Sequence, residues 1–178
     1  MANISKRKQF EASGKFHAGI EKTTKEEQEY PHAKKGIFAC KICDAVYYSK
    51  SWHHKREAFQ KLNSLKDVDM KFFVCPACQM LNDGTFEGEI IIENSPQDSQ
   101  GDVLRNIKNT GQKEYERDPM DRILKIEERP GHIRVLTSEN QLARNIARQI
   151  ERAYKKRARL KILLSKEDDL IRIVIRFS

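Results

Sequence analysis

The chain has 178 residues, with 34 Lys/Arg against 26 Asp/Glu, a net charge of +8 and 38% hydrophobic residues. That length suits one ordinary domain, or a small metal module with a second domain. No stretch approaches the ~18 consecutive apolar residues of a membrane-spanning helix, so a soluble, cytoplasmic protein is expected, with no membrane partner. The charge excess is unevenly placed. Residues 1–39 carry 8 Lys/Arg against 5 Asp/Glu, residues 40–100 carry 7 against 9, and residues 101–178 carry 19 against 12. A cationic C-terminal region favours an anionic partner, and in the cytoplasm the abundant one is nucleic acid. A merely solvated lysine-rich surface gives the same totals, so the positions of the charges must carry the argument.

Residues 1–36 mix Lys, Glu, Gln, Ser and Gly without apolar periodicity and read as a flexible basic tail, with a short helix near 24–29. The first residues, Met-Ala-Asn-Ile-Ser-Lys-Arg-Lys, have no apolar core and no cleavage pattern of an export signal.

Residues 37–84 are expected to form a zinc-ribbon-like module. All four cysteines lie here, as two Cys-x-x-Cys pairs: Cys40 with Cys43, and Cys75 with Cys78. Two such knuckles can offer four thiolates to one ion, the closed tetrahedral shell of a structural zinc. The 31 residues between the pairs exceed the usual spacing of about 15 to 20, which requires a substantial insert. Disulfides would need an oxidising compartment, and a thioredoxin-like site would need a single pair opening a helix. Iron in the same sulfurs stays open, because spacing alone does not separate it from zinc. His53 and His54 lie inside the insert. Four thiolates already fill a structural site, so these histidines are read as surface or packing groups.

Within the module, residues 45–48 (Ala-Val-Tyr-Tyr) and 71–74 (Lys-Phe-Phe-Val) read as strands. Trp52, Arg56, Phe59 and Leu62 follow helical spacing over 52–65, and Asn82-Asp83-Gly84 reads as a turn. Tyr47, Trp52, Phe59, Phe72 and Phe73 are expected to make a small aromatic core. A module of this size buries too little surface unaided, hence its need for metal.

Residues 85–178 read as an α+β domain. A strand is expected over 86–93 and a helix over 99–116, ended by Asp118-Pro119, with Val103, Leu104 and Ile107 facing inward. Residues 122–127 and 132–137 flank Arg129-Pro130-Gly131 as a hairpin. Ser138 and Gln141 have capping-box spacing ahead of a helix expected over 139–159. Strands at 160–164 and 170–177, turned at Glu167-Asp168-Asp169, close the chain. The order β-α-β-β-α-β-β resembles a ferredoxin-like sandwich with an additional strand.

The last helix carries the sharpest surface signal. At helical pitch Arg144, Arg148, Arg152, Lys155 and Arg159 fall within about 80° of one face. Leu142, Ala143, Ile146, Ala147, Ile150, Ala153 and Tyr154 take the other side. Solvated helix faces usually mix signs, and Glu151 is the only acid between 140 and 159. A stripe of one sign repels itself and is more readily explained by phosphate binding.

Taken together, the two Cys-x-x-Cys pairs, Trp52, the run 131–138 (Gly-His-Ile-Arg-Val-Leu-Thr-Ser) and the run 141–146 (Gln-Leu-Ala-Arg-Asn-Ile) resemble a known family. It is the zinc-binding and adjoining α+β region of the nonsense-mediated-decay-three family, the large ribosomal subunit export adapters. Short bacterial zinc-binding relatives of that region look closer still. The resemblance spans residues 38–177. The adapters' further cysteine pairs and transport signals are not visible here, so nuclear export is not implied. The resemblance implies association with ribosomal RNA or the large ribosomal subunit. The expected function is that of a zinc-stabilised RNA- or ribosome-binding protein, with Cys40, Cys43, Cys75 and Cys78 holding one structural zinc and the five cations facing RNA. The alternatives are a zinc-containing nucleic-acid-binding regulator, or an enzyme without a recognisable motif. No small-molecule substrate is inferred, because no phosphate loop, His-Glu-x-x-His or Gly-x-Ser-x-Gly sequence occurs and four thiolates leave a metal no open position.

Overall fold

The computed structural model describes residues 37–62, 70–155, 157–164 and 170–178. The tail read over residues 1–36 and the turn at 167–169 lie outside them. The described residues form an α+β structure of two mixed sheets and four helices. No helix among them is long and apolar enough to cross a membrane.

The first sheet has the order β3-β2-β1-β4, from β1 (Ile37–Cys40), β2 (Ala45–Tyr48), β3 (Ser51–His54) and β4 (Met70–Phe73). Strands β1, β2 and β3 are antiparallel, whereas β4 lies parallel to β1. Helix α1 (Lys55–Leu62) follows β3, and α2 (Pro76–Asp83) follows β4.

Two expectations fail here. Trp52 sits in β3, paired with Tyr47, instead of starting a helix. The cause is a two-residue hairpin at Ser49-Lys50 with φ of 50° and 64°, the mirror-turn geometry usually signalled by Asn-Gly and here built without glycine. Phe72 is 61% exposed, because β4 is an edge strand and only Phe73 turns towards the rings of Phe38 and Trp52. The expected turn at 82–84 is shorter than read. Helix α2 runs through Asp83, and Gly84, at φ 67°, donates its N–H to the Met80 carbonyl.

The second sheet has the order β6-β7-β5-β9-β8. Its strands are β5 (Gly88–Glu93), β6 (Ile123–Arg129), β7 (His132–Thr137), β8 (Ala158–Leu164) and β9 (Ile171–Phe177). Helix α3 (Gln100–Arg117) connects β5 to β6, and α4 (Asn140–Ala153) connects β7 to β8. Both helices cover one face. Val103 and Ile107 of α3 and Leu142, Ile146 and Ile150 of α4 are fully buried against Ile90, Ile92, Ile133, Val135 and Ile173.

The last strand, β9, enters the middle of the sheet and pairs parallel to β5, leaving β8 at the edge. Alternation explains the choice. Ile171, Ile173, Ile175 and Phe177 are all buried against the helices, which cover the middle of the sheet more fully than its edge. In β8, by contrast, Arg159, Lys161, Ile162 and Leu163 remain exposed.

The expected capping box is not formed. Glu139 is the residue before α4 and no side chain caps its amides. The Ser138 hydroxyl instead donates to the Met120 carbonyl at 2.5 Å and accepts from the Arg122 N–H at 2.8 Å. Gln141 turns forward to Asn145. A buried hydroxyl with loop partners available satisfies them in preference to a helix end that solvent can reach.

Candidate metal centre and cationic surface

The parallel β1–β4 pair creates the site. Cys40 at the end of β1 lies in register with Phe73 at the end of β4, so both chains leave the sheet at one end. The Lys41 N–H continues the ladder to the Phe73 carbonyl at 2.9 Å. The second knuckle then starts a helix: Cys75 precedes α2, Pro76 takes its first turn and Cys78 follows one turn on. The four Sγ atoms lie within 4.8 Å of one another. A tetrahedral sulfur shell with bonds of about 2.3 Å has edges of about 3.8 Å. Cys43 and Cys75 Sγ are 3.6 Å apart, so the set fits a metal ion such as zinc.

The surroundings favour thiolates. The N–H groups of Ile42 and Cys75 each donate to Cys40 Sγ at 3.4 Å. The positive end of α2 points the same way. The thiol hydrogen bond from Cys75 holds Cys43 down at about 4. The same bond, with burial, pushes Cys75 far up, and burial pushes Cys78 up to about 11. Four sulfurs this close share their charge unequally with protons, and a divalent ion would displace those protons on binding.

Two residues of the site lie far away in sequence. Met120 packs into the cluster formed by Cys40, Ala45, Cys75, Ala77 and Cys78. Arg122 brings Nη1 to 3.6 Å from Cys78 Sγ, donates from Nε to the Pro119 carbonyl at 2.9 Å, and lies 5.2 Å from the Tyr115 ring centre. A divalent ion in four thiolates is dianionic, and a half-buried guanidinium beside it offsets part of that charge. Burial works against the Arg122 charge, yet the nearby cysteines outweigh it and raise its pKa. The loop carrying both residues is fixed by Ser138 and by the Asp118 carboxylate, which accepts from the Met120 N–H at 2.8 Å. His54 joins the two modules, its Nε2 lying 2.6 Å from the Tyr115 carbonyl, and His53 stacks on Tyr48 with centroids 4.1 Å apart. Both histidines therefore pack. A lone Arg or Met after a helix end gives no sequence signal of a metal site, so only the fold reveals Met120 and Arg122.

In the same loop, burial, together with Asp118, Glu139 and Glu114, raises Asp121 from its usual 3.8 to about 6. A carboxylate with a raised folded pKa supports the fold while protonated, and that support is lost as pH rises through about 6. Asp121→Asn should therefore stabilise the protein above pH 6 and flatten its stability between about pH 4 and 6. Urea titrations across that range check this. A parallel pair of stability curves for variant and parent would contradict it.

The predicted cationic stripe is shorter than its sequence suggests. Helix α4 ends at Ala153, where the Tyr154 ring packs on Phe177 with centroids 5.2 Å apart. The Ala158 N–H returns to the Tyr154 carbonyl, and Ala158 begins pairing with Phe177. Arg148 and Arg152 are exposed on α4, Arg144 is half-buried, and none of the three has a carboxylate partner among the described residues. Lys155 lies in the turn after the helix, and Arg159 belongs to β8. The helix stops at Ala153 because pairing with β9 captures the chain before another helical turn can form. Set against protein-family models, curated proteins and solved structures, the chain matches none.

Proposed function

We propose that this is a zinc-stabilised RNA-binding protein whose partner is ribosomal RNA or the large ribosomal subunit, as its sequence likeness to short bacterial relatives of the nonsense-mediated-decay-three family suggests. The zinc-ribbon-like module serves as a folded support. The observation that carries the reading is the run of Arg144, Arg148 and Arg152 along α4, cations without carboxylate partners on a helix whose other side is buried. Such a surface suits phosphates, which position a protein without reading bases. The closed four-thiolate set supports a structural ion over a catalytic one.

The test is sedimentation of the purified protein with ribosomal subunits, alongside filter binding to ribosomal RNA over a salt series. Reversing Arg148 and Arg152 to Glu should leave the fold intact and weaken binding across RNA sequences. The slope of log affinity against log salt should fall by about one for each phosphate no longer engaged. An unchanged slope and affinity would reduce α4 to a solvated face. Elemental analysis of protein purified without chelator should give close to one zinc per chain, and iron in its place would overturn the zinc assignment.

A further inference from the structure

We infer that the open face of the five-stranded sheet is a second phosphate-binding surface, and that its occupant is the backbone of double-helical RNA. The inference rests on the RNA-binding reading above and adds to it a location and a form of RNA.

Helices α3 and α4 cover one face of the sheet. The core cluster draws its residues from that side, whereas on the other face the Arg134 guanidinium lies 5.9 Å from the Phe86 ring centre and Leu136 and Glu89 are buried among their strand neighbours. Strand register fixes what that face presents. One row across all five strands reads Arg129, His132, Glu93, Arg176 and Arg159, three arginines and a histidine against a single acid. In the next rows Arg134 and Arg172 both hold the carboxylate of Glu89, whose side chain is only 3% exposed, and Lys125 holds Glu127 at 2.6 Å. Lys161 adds one more exposed cation on β8. The face thus carries more cations than its glutamates balance.

Two details point to an external anion. Arg159 lies directly opposite Arg176 in the β8–β9 register, and Glu93 already holds Arg176 at 2.6 Å, so Arg159 is left facing a cation with that acid taken. Arg129, Arg159 and Lys161 are exposed and have no carboxylate partner among the described residues. The form of RNA follows from what lines the face. Single strands are held by bases stacked on aromatic rings. The outward positions of these five strands include no Phe, Tyr or Trp; between the cations stand Ile91, Val174, Leu136 and Leu163. A duplex presents phosphates and needs no stacking platform. Because α4 lies across the sheet from this face, Arg148 and Arg152 cannot share one duplex contact with it, and the two surfaces can be tested apart.

The test compares a blunt RNA duplex with single-stranded RNA of equal length, by fluorescence anisotropy over a salt series. The variant combines Arg129→Glu, Arg159→Glu and Lys161→Glu. The Arg159 change places an acid opposite Arg176, so the fold should hold, and thermal melting checks it. A neutral version with Gln at the three positions guards against misfolding and should show a smaller loss of the same kind. The intact protein should prefer the duplex. The reversed variant should bind it at least about tenfold more weakly, with a salt slope lower by about one per phosphate released. Unchanged duplex affinity and slope would overturn the inference, even if the Arg148 and Arg152 reversal abolishes binding. Loss of single-strand binding alone would overturn the duplex assignment. If the variant instead loses only a complex with poly-glutamate, the face belongs to an acidic protein. Failure of the intact protein to bind either RNA would remove the RNA reading itself, and this inference with it.

Discussion

Cys75→Ser should abolish metal binding and unfold the first module, while the five-stranded sheet persists. Cys75 is fully buried, stands at the start of α2, and gives its backbone N–H to Cys40 Sγ. Its loss breaks the sulfur set and the junction between β4 and α2 together. A structural zinc in a peptide of this kind contributes about 10 to 16 kcal/mol, which becomes folding free energy when no site exists in the unfolded chain. The apolar clusters of the module are small: Cys40, Ala45, Cys75, Ala77, Cys78 and Met120 in one, and Val46, Tyr48 and Ala58 in the other. At roughly 25 cal/mol per Å2 of buried apolar surface, clusters of this size cannot replace the metal. The second domain keeps its own larger core of isoleucines. Amide exchange with metal analysis checks this. The variant should hold less than about a tenth of an equivalent of metal, lose protection over residues 37–62 and 70–84, and keep it in β5, β7 and β9. A full equivalent of bound metal would refute the ligand set.

Glu89→Leu should cost about 3 kcal/mol, the largest effect expected of any single change on the sheet's open face. Glu89 lies on the central strand with both carboxylate oxygens engaged, one by Arg134 at 2.5 Å and the other by Arg172. Removing the carboxylate leaves two guanidinium groups close together, and Arg134 is itself only 18% exposed, so water restores little of what is lost. For a domain of this size the melting temperature should fall by roughly 12 to 24 °C. Glu93→Gln provides the contrast. Its partner Arg176 is 66% exposed, so this pair should contribute less than about 1 kcal/mol. Equal losses from the two substitutions, measured by thermal and urea denaturation, would show that burial of Glu89 does not set its contribution.

The same contrast between local and distant effects explains what was legible in the sequence. The four ligands could be read because each knuckle is a short-range pattern whose chemistry depends on residue type and spacing. The hairpin at Arg129-Pro130-Gly131 was equally local, with Gly131 at φ 70° where a left-handed residue is required. Helix α3 followed from Val103 and Ile107 on one side and Asp118-Pro119 at its end. In each case the residues that determine the structure are neighbours along the chain.

Where the deciding partner was distant, local signals misled. Trp52 was misread for a local reason, since the Ser49-Lys50 hairpin lacks the usual glycine, but the other errors came from partners farther along the chain. Ser138 has a capping residue's chemistry, and the nearby loop of Met120 and Arg122 takes its hydroxyl first. The cations after Ala153 continue a helical pattern that β9 cuts short by claiming Ala158. The four-cysteine site divides along the same line. By itself the sequence determined which four side chains can hold an ion. Only the tertiary structure decided that parallel pairing of β1 with β4 brings them together, that Met120 and Arg122 close the site, and that Arg159 belongs to the sheet's open face. The physical reason is that ligand chemistry resides in single residues, whereas register and burial are properties of pairs that the chain keeps far apart until it folds.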